Sequence, residues 1–98
     1  MDITFHFHNI ESSEALKNAA RKVIEKLAPQ FSRLIDATVR FKVEKVDQIA
    51  EITMNGDGGV FVAGGKTTDM YGTLDLVEKK LESQIKKHKG KQNKHHAR

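Results

Sequence analysis

The chain has 98 residues, a formal net charge of +4 and no cysteine. This length fits one domain, and the absence of cysteine excludes both a disulfide framework and a thiolate site. The sequence contains no run of about 18 apolar residues that would predict a transmembrane helix. Its N-terminus lacks the basic-then-apolar order of a signal peptide. We therefore expect a soluble cytoplasmic protein that spans no membrane.

The charge is distributed unevenly along the chain. Residues 79–98 hold eight Lys or Arg and one acid, whereas residues 1–78 hold nine basic and twelve acidic residues. A basic end on a mildly acidic body favours a polyanion as the partner. RNA and membrane phospholipid are the two rival polyanions. The last predicted helix has no Trp or Phe on its apolar face, which argues against the membrane.

The first predicted element is a strand at residues 3–8, where apolar and polar side chains alternate. The apolar face carries Ile3, Phe5 and Phe7, and the polar face includes His6 and His8. Two histidines at this spacing could bind a metal, but no third ligand of matching spacing is visible. We therefore predict no metal site and no cofactor.

The next element is a helix that Ser12 or Ser13 can cap. Its apolar stripe consists of Leu16, Ala20, Val23 and Leu27. Its basic residues are Lys17 and Arg21 on one flank and Lys22 and Lys26 on the other. Pro29 disfavours the helical state of the residue before it, so the helix should end or kink near Ala28. We expect Phe31 still to pack into the core.

Three strands follow, predicted at residues 35–46, 48–55 and 60–63. In the first of them the residues predicted to point inward are Ile35, Ala37, Val39, Phe41 and Val43. The clean alternation predicts a sheet with one covered face and one solvent-exposed face. Ile52 and Met54 should point inward from the second strand. Residues 55–59 should form a hairpin loop, and residues 64–68 should link the last strand to a helix.

Two glycine-rich stretches have the composition of phosphate-binding loops. The loop at 55–59 joins two strands and opens no helix, so it does not fit a phosphate cradle. Gly65-Lys66-Thr67 is similar to the end of a P-loop, but Val60 occupies the position of the required first glycine. We predict no nucleotide site.

A second helix is predicted at residues 69–89, with Thr68 or Asp69 as its cap. Its apolar stripe consists of Met70, Leu74, Val77, Leu81 and Ile85, at steps of 4, 3, 4 and 4. Lys79, Lys86 and Lys87 lie on the side away from the stripe, and Lys80 lies on its flank. This basic face is either a solvated surface or a polyanion-binding surface.

The predicted element order is β-α-β-β-β-α, which gives an α+β domain. We expect a four-stranded, mainly antiparallel sheet with two helices packed on one face. Residues 1–90 should form this domain, and residues 91–98 should form a mobile basic tail. The sequence offers no nucleophile–base pair, metal constellation or carboxylate dyad, so we predict that the protein is not an enzyme.

Several short motifs, in order and at matching spacing over residues 3–89, resemble the ribosome hibernation promoting factor family. This family also includes the ribosome-associated inhibitor and sigma-54 modulation proteins. The matching residues are Glu14-Ala-Leu16, Lys26-Leu27, Phe31, Phe41-Lys-Val-Glu-Lys-Val46, Asp69-Met-Tyr71, Asp75, Lys80-Leu81, Gln84 and Lys87-His-Lys89. The chain ends just past the second helix, so it looks like the short form of the family, which lacks a dimerisation domain.

The resemblance implies a fold similar to a double-stranded RNA-binding domain. It also implies binding to the small ribosomal subunit at the tRNA and mRNA channel, and silencing of translation in starvation or stationary phase. The partner would be ribosomal RNA, with a separate ribosome modulation factor for ribosome dimers. We expect the protein itself to be a monomer. By family analogy the rRNA-binding residues are Lys17, Arg21, Lys22, Lys26, Lys79, Lys80, Lys86, Lys87 and Lys89. A general double-stranded RNA-binding module remains the alternative.

Overall fold

The structure is a computed structural model that describes the backbone of residues 2–96 and the side chains of residues 2–89. The element order is β-α-β-β-β-α, as predicted. The strands are β1 (Asp2–His8), β2 (Leu34–Glu44), β3 (Asp47–Gly56) and β4 (Gly59–Thr67). The helices are α1 (Glu14–Leu27) and α2 (Met70–His96), with a short 3-10 helix at Ala28–Gln30.

The four strands form one mixed sheet in the order β1-β2-β3-β4. β1 pairs with β2 in parallel, and the β2–β3 and β3–β4 pairs are antiparallel. A parallel pair needs a crossover connection, and α1 supplies it between β1 and β2. The prediction of a mainly antiparallel sheet covered by two helices is therefore confirmed.

Helix α1 begins and ends where the local sequence predicts. Ser13 is its N-cap, because its Oγ accepts a hydrogen bond from the backbone N–H of Leu16 at 3.2 Å. The helix ends at Leu27, and Pro29 lies in the 3-10 turn that follows. Phe31 is buried after this turn and meets the ring of Phe61 edge-on, with centroids 5.3 Å apart. Phe31 thereby packs the segment after α1 against β4 of the sheet.

Helix α2 supplies the second half of the core. Asp69 caps it, since its Oδ2 accepts a hydrogen bond from the N–H of Gly72 at 3.1 Å. Every member of the predicted stripe is buried: Met70, Leu74, Val77, Leu81 and Ile85. Burying such a stripe contributes about 1.5–3 kcal/mol for each large apolar side chain. The side of α2 opposite this stripe is therefore fixed toward solvent.

The prediction for the first half of β2 is wrong at Ile35. The register shifts between Leu34 and Asp36, which leaves Ile35 in a bulge, and its side chain is 57% exposed. Leu34 packs against the core in its place. β2 also ends at Glu44 rather than residue 46, because Lys45 adopts a positive φ in a tight turn to Asp47.

The last hairpin is tighter than predicted. Gly56 pairs with Gly59, so the turn consists of Asp57 and Gly58 alone, both with positive φ. β4 then continues to Thr67 instead of ending at residue 63. Gly65 lies within this strand, where a Cβ would come within 2.9 Å of Leu76 Cδ2. The sequence placed Gly65 in a linker. In the structure it lies in β4, and because it has no Cβ, α2 can approach the sheet closely.

The end of α2 also differs from the prediction. The helix continues to His96, beyond the predicted end at residue 89. The backbone of residues 91–96 is thus helical, whereas residues 97–98 of the predicted tail lie outside the described residues. The domain boundary at residue 90 and the mobility of residues 91–98 stay predictions.

Candidate nucleic-acid interface

The outer side of α2 carries several exposed lysines. Lys79, Lys86, Lys87 and Lys89 are all exposed. Among the side chains of residues 2–89, none of these lysines lies within salt-bridge distance of a carboxylate. Their positive charge is therefore available to a ligand. We call these four residues the α2 lysine surface.

Lys80 lies at the side of this surface and contacts the sheet. Its Nζ donates a hydrogen bond to the carbonyl oxygen of Gly64 at 2.8 Å. One turn further, Gln84 Nε2 donates to the carbonyl oxygen of Val62 at 2.7 Å. Both carbonyls belong to β4, which is an edge strand. The two side chains cover backbone acceptors that would otherwise be open to another strand.

The cations on one flank of α1 are engaged within the domain. Lys17 Nζ lies 3.2 Å from Glu14 Oε2 and 5.8 Å from the centre of the Phe5 ring. Arg21 Cζ lies 5.1 Å from the same ring, and its Nη1 donates to Asn18 Oδ1 at 2.7 Å. Stacking on an aromatic face holds both cations against β1. These two residues are half-buried.

On the other flank of α1, Lys26 faces acids of α2. Its Nζ lies 2.9 Å from Glu78 Oε2. The hydrogen bond to Glu78, the charge of Glu78 and then the charges of Glu82 and Asp75 raise the pKa of Lys26 above its ordinary value. Asp75, Glu78 and Glu82 lie on one flank of α2, with Glu78 in contact with Lys26, and we call these three residues the acidic seam. Lys22 is exposed on the same flank, with no salt bridge in the described part of the chain.

The β3–β4 turn lies near the cationic end of α2. Asp57 accepts hydrogen bonds from the backbone N–H groups of Arg33 at 2.7 Å and Ser32 at 3.0 Å. These bonds, in that order, lower the pKa of the Asp57 carboxyl. The charges of His88 and Lys89 lower it further. The ring of Phe61 in β4 meets the ring of His88 edge-on, with centroids 5.3 Å apart, so this end of α2 lies against the hairpin.

The structure places the nine predicted rRNA-binding residues on two different helices. Five lie on the outer side or flank of α2: Lys79, Lys80, Lys86, Lys87 and Lys89. Four lie on the two flanks of α1: Lys17, Arg21, Lys22 and Lys26. The sequence alone did not predict the acidic seam. The spacing of 3 and 4 between its members places them on one flank of a helix, but only the fold shows that this flank faces Lys26.

The remaining candidate sites are the two histidines of β1 and the glycine-rich stretch of β4. His6 and His8 are exposed on β1, and no group of three or more possible metal ligands occurs among the described residues. Glycines 64 and 65 lie in β4, so they form no phosphate loop. No helix in the described part of the chain is long and apolar enough to cross a membrane.

The fold and this surface define a small α+β domain with an exposed cationic helix. Residues 3–93 match the family model described as sigma 54 modulation protein / S30EA ribosomal protein. The chain belongs to this family, which confirms the resemblance seen in the motifs. The family is one of non-enzymatic ribosome-binding proteins, so the chain is not an enzyme.

Curated relatives agree over almost the whole chain. The ribosome hibernation promoting factor of Salmonella typhimurium is 35% identical over 95 residues, covering 97% of this chain and 100% of the relative. The protein of the same name from Azotobacter vinelandii is 34% identical over 92 residues, covering 94% of this chain and 86% of the relative.

Two solved structures share the fold. A ribosomal subunit interface protein from Coxiella burnetii has a TM-score of 0.80 at 24% identity, covering 92% of this chain and 99% of that one. The N-terminal domain of Thermus thermophilus Protein Y also has a TM-score of 0.80 at 24% identity, covering 90% of this chain and 99% of that one. The predicted fold class is thus confirmed.

Proposed function

We propose that this protein is a ribosome hibernation factor that binds the small ribosomal subunit in the tRNA and mRNA channel. Binding silences translation in starvation or stationary phase, and the protein acts in the cytoplasm as a monomer. Relatives matched over nearly their full length carry the name ribosome hibernation promoting factor, which supports the hibernation role.

The observation that carries the proposal is the α2 lysine surface. Its lysines are exposed and lie beyond salt-bridge distance of the carboxylates described, while the stripe behind them is buried. Lysine contacts to phosphate position a protein on RNA without reading its sequence. A folded ribosomal RNA would supply specificity through its shape. A rigid domain held there excludes tRNA and mRNA by occupancy.

Co-sedimentation of the full chain with purified small subunits across a salt series tests this proposal. We expect binding at low salt and a loss of affinity by orders of magnitude above physiological salt, because bound lysines release counterions. A chain that fails to pellet with subunits at low salt would overturn the proposal.

A free A-form RNA duplex is the matched competitor in the same experiment. We expect excess duplex to displace the protein poorly, since subunit binding depends on a folded surface and not on a duplex alone. Equal competition by the duplex would identify a general double-stranded RNA-binding module instead.

Silencing by occupancy predicts a stoichiometric inhibitor. In a cell-free translation system, inhibition should reach its plateau near one protein per ribosome and should be reversed by excess initiation components. Strong inhibition at one protein per many ribosomes would contradict occupancy.

We also propose that ribosome dimers require a separate ribosome modulation factor. On a sucrose gradient, the protein alone should produce few dimers, and addition of the modulation factor should increase them. Efficient dimer formation by the pure protein would show that no second factor is needed.

A further inference from the structure

An open cavity of about 460 Å³ lies between the starts of the two helices. Its apolar lining includes Ile10, Leu16 and Met70, of which the last two are buried members of the core. Tyr71 also lines the cavity, and this large aromatic residue is 50% exposed. The cavity therefore offers an apolar floor beside an accessible aromatic ring.

The polar lining of the cavity is unsuited to phosphate. Glu11 and Asp69 are its charged members, and no Lys or Arg occurs among its lining residues. Two backbone donors at the helix starts are already used, because Ser13 Oγ accepts from Leu16 N–H and Asp69 Oδ2 accepts from Gly72 N–H. The cavity offers a ligand the carboxylate oxygens of Glu11 and Asp69 and an aromatic ring, beside the uncharged polar side chains of Ser12, Gln48 and Thr68. A flat, uncharged group that donates hydrogen bonds matches this chemistry.

We propose that the cavity receives one unpaired nucleobase of the bound RNA. The base stacks on Tyr71, and its exocyclic amino group donates to a carboxylate of Glu11 or Asp69. Proteins that recognise single-stranded RNA bases commonly stack them on aromatic side chains and bond their edges. Adenine, cytosine and guanine carry such an amino group, and uracil does not. The inference rests on the proposed function for the source of the base.

Nucleosides test the cavity directly, because they carry no phosphate. We expect cytidine, added to the full chain, to shift the NMR signals of Tyr71, Met70 and Glu11. These shifts should not change with salt, unlike contacts at the lysine surface. Uridine is the matched control, since it has the same ring size and lacks the amino group, and it should bind several-fold more weakly. No cytidine-dependent shift at Tyr71, or equal binding of uridine, would overturn the proposal.

Substitutions of Tyr71 connect the cavity to subunit binding. Tyr71→Ala should abolish the cytidine shifts and weaken small-subunit binding by about 5- to 150-fold, the range for removing one stacking ring. Tyr71→Phe keeps the ring and should bind within about twofold of the unmodified chain. Thermal melting checks that both variants fold.

The two proposals fail in different ways. If Tyr71→Ala is folded and binds subunits as tightly as the unmodified chain, the nucleobase site is overturned and the proposed function stands. If the unmodified chain does not pellet with subunits, the proposed function is overturned, and the cytidine titration still decides whether the cavity recognises a base.

Discussion

The cations of α1 and the exposed lysines of α2 differ in their partners. On α1, Lys17 and Lys26 lie within 3.2 Å and 2.9 Å of carboxylates, and Arg21 stacks on Phe5. On α2, Lys79, Lys86, Lys87 and Lys89 have no carboxylate within salt-bridge distance among the described side chains.

This difference shows that a count of charges misjudges a binding surface. A cation that already has a partner must exchange it for phosphate, and the lost pair offsets up to about 1 kcal/mol of its gain. A lysine without a partner gives the whole gain, chiefly through counterion release. We therefore expect the α2 lysine surface to dominate RNA binding.

The largest expected effect comes from removing three charges of that surface. The variant Lys79→Gln, Lys86→Gln, Lys87→Gln should bind small subunits far more weakly. The slope of log affinity against log salt should become shallower by about three, because each lost phosphate contact removes about one unit. Each surface change should alter the free energy of unfolding by no more than about 0.5 kcal/mol. Co-sedimentation across salt and thermal melting provide the two measurements.

The matched control removes three charges from α1. The variant Lys17→Gln, Lys22→Gln, Lys26→Gln changes net charge equally, but Glu14 and Glu78 already compensate two of the three lysines. Its salt slope should therefore change by much less than that of the α2 variant. Equal changes in slope for the two variants would break the distinction between the helices.

A core substitution separates the surface of α2 from its packing. Leu81 is fully buried, so Leu81→Ala should lower the free energy of unfolding by about 2–5 kcal/mol. Subunit binding should be unchanged at temperatures where the variant is folded. Ser83→Ala is the control on the exposed side of the same helix, and it should cost no more than about 0.5 kcal/mol. Weakened binding by folded Leu81→Ala would mean that packing and binding are coupled.

The spacing of residues along the chain predicted those features that depend on interactions between near neighbours. The stripe of α2, the Ser13 cap and the end of α1 before Pro29 all depend on residues within a turn or two of one another. The family motifs predicted the class of protein. Alternation could not reveal the bulge at Ile35, because a bulge is a property of the pairing with β3.

Long-range contacts account for what the sequence did not reveal at the site. Lys26 and Glu78 belong to different helices, and only their packing brings the charges together. The cavity beside Tyr71 likewise needs both helix starts to meet. Gly65 suggested a linker because glycine is common there, yet in β4 it permits the close approach of Leu76.

A smaller effect should follow from releasing a cation of α1. Glu78→Gln removes the carboxylate that pairs with Lys26, so Lys26 becomes available to phosphate. We expect several-fold tighter binding at low salt, a salt slope steeper by about one, and a slightly lower melting temperature. The double variant Glu78→Gln, Lys26→Gln should lose the gain. If the gain persists in the double variant, it comes from net charge and not from Lys26.

The smallest expected effect concerns Asp57, whose carboxylate lies near the cationic end of α2. Its pKa is lowered chiefly by the backbone hydrogen bonds from Arg33 and Ser32, so the charged form is favoured in the folded chain. The resulting stabilisation is present above the ordinary carboxyl pKa of 3.8 and is lost as pH falls through the lowered value. Asp57→Asn should therefore melt at a lower temperature than the unmodified chain at pH 7, and the difference should shrink as the solution is acidified below pH 3.8.

Glu25→Gln, an exposed change on α1, should not reproduce this convergence. Loss of the Asp57 charge should also strengthen subunit binding slightly, because an anion near the cationic end of α2 is removed. A constant difference in melting temperature across this pH range would show that the turn is held by its backbone and not by the carboxylate.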